Sequence, residues 1–217
     1  MGALTIGIDI GQRVDPTAIA VVEQEWRNRG QRRETHFLVR HLERLPLGTG
    51  YPQVAERALA VAASAQQMTR TVPVLFLDAT GVGTPVFDAL VTAARVRDIR
   101  VYIYPCYFNY GDRRLIERSP HGGGLLDSIK IGKAWLVSRL QVLLQDRRLH
   151  LPETAEARVL AKELLDYEIR VDQDANDKYG AFKVGTHDDL VTALGLACQD
   201  DARVAPPSTI RVIGLHA

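Results

Sequence analysis

Leu4-Thr5-Ile6-Gly7-Ile8-Asp9-Ile10-Gly11 opens the chain with an apolar run that ends on an acid. Such a run reads as a buried strand, a setting in which Asp is depleted. A carboxylate at the end of a buried strand is costly unless something pairs with it. The same pattern recurs at Val72-Pro73-Val74-Leu75-Phe76-Leu77, which ends on Asp78. A third acidic site, Asp188-Asp189, opens an apolar helical stretch after Gly185-Thr186-His187. Three such sites, far apart in sequence, point to one shared partner, and a divalent cation would satisfy all of them.

The rest of the chain places these acids on a framework. Residues 4–9 are expected as a strand, followed by a tight turn from Gly11 to Pro16. Thr17 to Glu23 reads as a second strand, paired with the first as a hairpin. Arg33 to Leu45 alternates and reads as a third. Gln53 to Met68 is an Ala-rich helix, Val72 to Leu77 a fully apolar central strand, Pro85 to Arg95 a helix and Arg100 to Tyr104 a fifth strand. Tyr107 to Gly124 has no clear period and reads as a long surface loop, the kind of segment that tends to carry function. Leu126 to Asp146 reads as an amphipathic helix with Ile129, Leu136, Leu140, Leu143 and Leu144 on one face. A short extended piece at Leu149 to Leu151 and a helix from Glu153 to Leu165 follow. Tyr167 to Val171 and Ala181 to Val184 are expected to form a hairpin. Asp188 to Cys198 is the last helix. The tail from about 203 to 217 has no assignment. Hairpin strands followed by alternating helix and strand give an α/β fold: a mixed sheet of five or more strands, flanked by helices. If strands one and four are neighbours, Asp9 and Asp78 meet at one edge of that sheet. The last helix then needs only to cross that edge to bring in Asp188.

Carboxylates without His or Cys suit hard cations such as Mg²⁺ or Mn²⁺. Two such ions, about 4 Å apart, activate water and stabilise a leaving oxygen in phosphodiester cleavage. Asp9, on a rigid central strand, is the natural shared ligand. Asp78 would hold one ion, and Asp188 or Asp189 the other. Helical periodicity sets Asp188 slightly nearer the face of Val191, but two acids at a helix start also read as plain capping residues. Asp78 equally suits the first position of a turn, Asp78-Ala79-Thr80-Gly81. His187 is a candidate accessory contact to metal or phosphate, and a lone His is just as readily a cap. Gly81-Val82-Gly83 lacks the Lys and the spacing of a phosphate loop, and no ATP-binding P-loop motif occurs.

Composition bounds the reading. The 217 residues fit one domain able to bury its own core, and the sequence shows no linker. A hydrophobic share of 46% against 24% charged is that of an ordinary globular chain. Cys106 and Cys198 have neither metal nor disulfide spacing, which suits a reducing, cytosolic setting. No membrane span and no signal peptide are visible. A net charge of +1 announces no nucleic-acid partner by itself. Locally, however, Arg113, Arg114, Arg118, His121, Lys130 and Lys133 lie together, followed by Arg139, Arg147 and Arg148. A basic face of this kind serves phosphate backbones, and it serves equally as a solvated surface.

Taken together, Ile6-Gly7-Ile8-Asp9, Asp15-Pro16-Thr17-Ala18-Ile19-Ala20, Leu77-Asp78-Ala79-Thr80-Gly81-Val82-Gly83 and Gly185-Thr186-His187-Asp188-Asp189-Leu190-Val191-Thr192-Ala193-Leu194 resemble the C-terminal nuclease domain of tailed-phage terminase large subunits. Lys133 through Leu149 also looks like a segment of these domains. The resemblance spans roughly residues 4 to 200. It implies an RNase H-like fold with an added β-hairpin, and an endonuclease using Mg²⁺ or Mn²⁺, two ions in the family's scheme, to cut double-stranded phage DNA concatemers during genome packaging. Its acidic cluster maps onto Asp9, Asp78, Asp188 and Asp189, and Arg113, Arg114, Lys130 and Lys133 become the candidate DNA contacts. It implies a host-cytoplasmic setting, with the portal, the small terminase subunit and a packaging ATPase domain as partners. That ATPase domain is absent from these residues, so an excised domain or a separate nuclease is expected. Two rivals stand beside this reading. A Holliday-junction resolvase shares the fold and prefers branched DNA. Half of an actin-like kinase shares Asp9-Ile10-Gly11 but needs a second domain and ATP.

Overall fold

Leu4, Ile6 and Ile8 point to one face of a sheet, and Gly7 and Asp9 to the other, because successive side chains on a strand alternate. This strand, β1 (Leu4–Asp9), is central. The structure, a computed structural model, describes residues 2–11, 15–81, 83–109, 113–121, 124–166, 168–171, 177–180 and 188–201. On one side β1 pairs antiparallel with β2 (Ala18–Arg29), which pairs antiparallel with β3 (Arg32–Arg44). On the other side it pairs in parallel with β4 (Val74–Asp78), which pairs in parallel with β5 (Tyr102–Asn109). An antiparallel hairpin, β6 (Arg114–His121) and β7 (Gly124–Gly132), extends this side through β7, and β8 (Leu149–His150) closes the other. The eight strands run in the order β6-β7-β5-β4-β1-β2-β3-β8. A separate pair, β9 (Glu168–Val171) and β10 (Asp177–Gly180), stands apart from the sheet.

Helices cover both faces. α1 (Tyr51–Thr69) and α2 (Gly83–Val96) bury Val54, Leu59, Val86 and Leu90 against Ile6, Ile8, Leu75 and Leu77. On the opposite face, α3 (Lys133–Gln145), α4 (Ala155–Asp166) and α5 (Asp189–Ala197) enclose Ala18, Ala20, Phe37, Leu140, Leu160 and Leu194. Phe76, Leu136 and Leu196 continue that layer. Because Phe76 faces α5, alternation turns Asp78 to the same side. Gly7 explains how closely α5 lies on β1. A Cβ at this position would strike the Ala193 carbonyl and come within 2.7 Å of the Ala197 nitrogen. Only a residue without a side chain admits the helix here. Among the described residues, no helix is long and apolar enough to cross a membrane.

The structure corrects the expected helix at Leu126 to Asp146. Leu126 to Gly132 belongs to β7, and the helix starts at Lys133. Ile129 and Leu136 are seven residues apart and mimic a helical stripe. Yet β-branched Ile129 and Ile131 pair with Cys106 and Phe108 of β5, and Gly132 ends the strand. The expected loop at Tyr107 to Gly124 is largely the end of β5 and all of β6. The hairpin partner expected at Ala181 to Val184 lies outside the described residues, and β9 pairs with Asp177–Gly180 instead. His187 and the tail also lie outside the described residues.

Candidate active site

The parallel register brings the first two acids together. Ile8 is opposite Leu77, so the next residues, Asp9 and Asp78, leave adjacent strands side by side on the α5 face. Their side chains hydrogen-bond to each other. Burial and then the neighbouring Asp78 carboxylate push the Asp9 carboxyl well above the usual range. Asp78 is raised as well, mainly by burial, while hydrogen bonds from Thr80 and the charge of Lys133 pull it back. Two neighbouring carboxylates resist ionising together, which is why both are raised, and a cation beside them offsets part of that cost.

Asp78 is also the turn former that its sequence suggested. Its Oδ1 accepts from the Thr80 backbone N–H at 2.8 Å, and Ala79 N–H donates to the Cys106 carbonyl at 2.7 Å. The Thr80 hydroxyl accepts from Phe108 N–H at 2.9 Å, tying this turn to the end of β5. The turn geometry of Asp78 thus leaves its carboxyl beside Asp9.

Lys133 completes the group. It is the first residue of α3, where a positive charge opposes the helix dipole. Its Nζ lies 3.6 Å from Oδ2 of Asp188 and 5.5 Å from the centre of the Phe108 ring. Its charge lowers the carboxyls of both Asp9 and Asp78. Lys133, expected as a DNA contact, thus sits among the acids as their internal counter-ion. A Lys at a helix start is the available signal, since a residue that breaks a local rule tends to serve a site.

The adjacent acids Asp188 and Asp189 part company. Asp188 stands just before α5, partly exposed, facing Lys133. Asp189 is buried, and Arg44 donates to both its oxygens, from Nε at 2.6 Å and Nη2 at 3.1 Å. Arg44 also forms an ion pair with buried Glu163 of α4. Periodicity had set Asp188 nearer the interior, and the reverse holds. Every residue of α5 is buried, so the helix has no polar face from which to read direction.

The basic residues also divide. Arg113 is exposed, and its carbonyl accepts from Gly132 N–H at 2.9 Å, directly before Lys133. Arg114 turns inward, donating to Gln199 at 3.0 Å and pairing with Asp200 at 3.2 Å. Lys130 pairs with Glu117 across the hairpin at 2.9 Å. Arg118 is held by Asp127, and Arg139 and Arg148 by Asp201. Much of the basic run therefore ties the fold together.

Among the described residues, no three His, Cys, Asp or Glu side chains are already drawn into a metal cage. The donor set nevertheless fits a hard cation. It offers oxygen ligands only, its crowded carboxyls are raised by burial and by one another, and an ammonium already lies beside it.

Strand order, helical layers and site position together define an RNase H-like fold. No protein-family model matches the chain, and no curated protein sequence matches it. Solved structures do. The large terminase nuclease from thermophilic phage G20c aligns at 18% identity and a TM-score of 0.57, over 93% of this chain and 83% of that one. The same nuclease with bound magnesium aligns at 19% and 0.56, over 91% and 81%. The Mn-soaked human cytomegalovirus terminase nuclease domain aligns at 13% and 0.58, over 90% and 82%. The chain has the fold of these terminase nuclease domains.

Proposed function

We propose that the protein is a metal-dependent endonuclease that cuts double-stranded DNA as a terminase large-subunit nuclease domain does, in the service of phage genome packaging. The observation that carries this reading is the hydrogen-bonded Asp9–Asp78 pair, with Asp188 joined to it through Lys133, at the strand ends of a terminase-nuclease fold. Magnesium bound in one similar nuclease and manganese soaked into another support the choice of ion.

Asp9, Asp78 and Asp188 would hold the metal. Two divalent ions bound there would supply an activated water and neutralise charge at the departing oxygen. Asp9 is best placed to be shared, because β2 and β4 fix β1 from both sides. The Thr80 hydrogen bond orients Asp78 and keeps one oxygen engaged. Lys133, now beside Asp188, would be free to balance the charge of a phosphate if a cation took over that carboxylate. Arg113, exposed beside the start of α3, is the first candidate to contact the DNA backbone. The dsDNA substrate, the portal and small-subunit partners, and a packaging ATPase follow from the terminase reading.

Plasmid cleavage in Mn²⁺ or Mg²⁺ without ATP tests the proposal. Wild type should nick and linearise the plasmid. Asp9→Asn and Asp78→Asn should lose at least about 100-fold in rate, since an amide cannot replace a charged ligand. Undiminished cleavage in either variant, or in excess EDTA, would remove these acids from the chemistry. Strong preference for four-way junctions over linear duplex would redirect the substrate to branched DNA.

A further inference from the structure

Arg44 lies in the same transverse row of the sheet as Asp9. Asp9 is opposite Ala18 on β2, and Ala18 is opposite Arg44 on β3. Directly opposed residues of antiparallel strands point to the same face, here the face covered by α5. Two interstrand spacings put about 10 Å between the backbones of Asp9 and Arg44. Ala18, the residue between them, is too small to fill that gap. The start of α5 comes down over this row, presenting two consecutive carboxylates. Asp188 meets Lys133, on the Asp9 side, and Asp189 meets Arg44, on the other.

From this geometry we infer that Arg44 is a positioning residue that withdraws Asp189 from the metal site and thereby sets Asp188 as the ligand. The inference rests on the nuclease reading of the acid cluster and decides which of two adjacent acids serves it. The guanidinium fork engages both Asp189 oxygens, so turning that carboxylate towards Asp9 would break two charge-assisted hydrogen bonds. Buried Glu163 pairs with the Nη2 of the same guanidinium and helps keep it in place. The consequence is a fixed azimuth for α5. With Asp189 anchored, Asp188 has one direction in which to face.

Mn²⁺ binding by calorimetry on the full chain tests this without relying on cleavage. Asp188→Asn should weaken binding by more than about a hundredfold, because it removes a ligand, and Asp189→Asn by about tenfold, because it loses only the anchor that aims Asp188. Arg44→Lys keeps the charge but loses the fork, and should weaken Mn²⁺ binding by about tenfold at a temperature where the chain is fully folded. In an Asp189→Asn background the same change should cost less than about threefold, because Arg44 acts through Asp189. Equal losses in Asp188→Asn and Asp189→Asn would overturn the assignment. Wild-type affinity in a folded Arg44→Lys variant would reduce Arg44 to a purely structural ion pair. If Arg44→Lys does not fold, the Asp188 and Asp189 variants still decide which acid binds. A wild-type chain that binds no Mn²⁺ overturns the metal reading itself, and the inference with it.

Discussion

Asp9 bears the tension of the site in a single carboxyl group. Its pKa is raised in the folded chain by burial and by Asp78, so ionising it without metal weakens the fold. The stability associated with its proton is fully present below the unfolded value of about 3.9 and is lost as pH rises through the raised folded value. Asp9→Asn removes this loss and keeps a donor for Asp78. In EDTA the variant should therefore melt higher than wild type at neutral pH, with the advantage shrinking towards pH 4. Mn²⁺ should reverse the order by stabilising wild type alone, by about 2.7 kcal/mol at a hundredfold excess over its Kd. Thermal melts across pH, with and without Mn²⁺, measure both effects. A variant less stable than wild type in EDTA at neutral pH would show that Asp9 is ionised and well paired in the resting fold.

At the scale of elements, the β6–β7 hairpin separates neighbours that sequence had grouped as DNA contacts. Arg113 faces solvent at the foot of β6, and Arg114 is tied to Gln199 and Asp200 just beyond α5. Arg113→Ala should lower the salt dependence of DNA binding by about one unit of slope and leave the melting temperature nearly unchanged. Arg114→Ala should leave the slope in place and destabilise the chain by about 1–3 kcal/mol, since it strands its partners. Binding isotherms over a salt series, together with melts, separate the two. A slope that falls equally in both variants would return Arg114 to the DNA surface. The same hairpin marks where sequence reading stopped. β1, β4, α1 and α2 could be read because each buries a continuous apolar run or stripe. β6 could not, because Leu115 and Ile116 are exposed beside charged neighbours and no period distinguishes its faces. The second half of β2, Gln24 to Arg29, was missed as well, because Trp26 to Arg29 are exposed and carry no alternation.

Across the whole molecule, the site draws on β1, β4, α3 and the start of α5, parts of the chain brought together only by the sheet order. Asp9 and Asp78 were identifiable because each ends an apolar strand. The clamp between Arg44 and Asp189 joins residues 145 positions apart and leaves no local pattern. Lys133 was visible as a charge but not as the counter-ion of the acids, because its partner lies on another helix. The likeness to terminase nucleases agrees with this arrangement at the level of fold, at identities of 13% to 19%. Under the proposed nuclease reading, these acids would receive a divalent cation. A crystal structure of the chain soaked in Mn²⁺, with anomalous scattering to locate the ion, measures this directly. Anomalous density should lie between Asp9 and Asp78 with Asp188 as a further ligand, Lys133 turned away from Asp188, and Asp189 still held by Arg44. Saturating Mn²⁺ with no density at Asp9, and with the Asp9–Asp78 hydrogen bond intact, would contradict a metal-dependent active site at these strand ends.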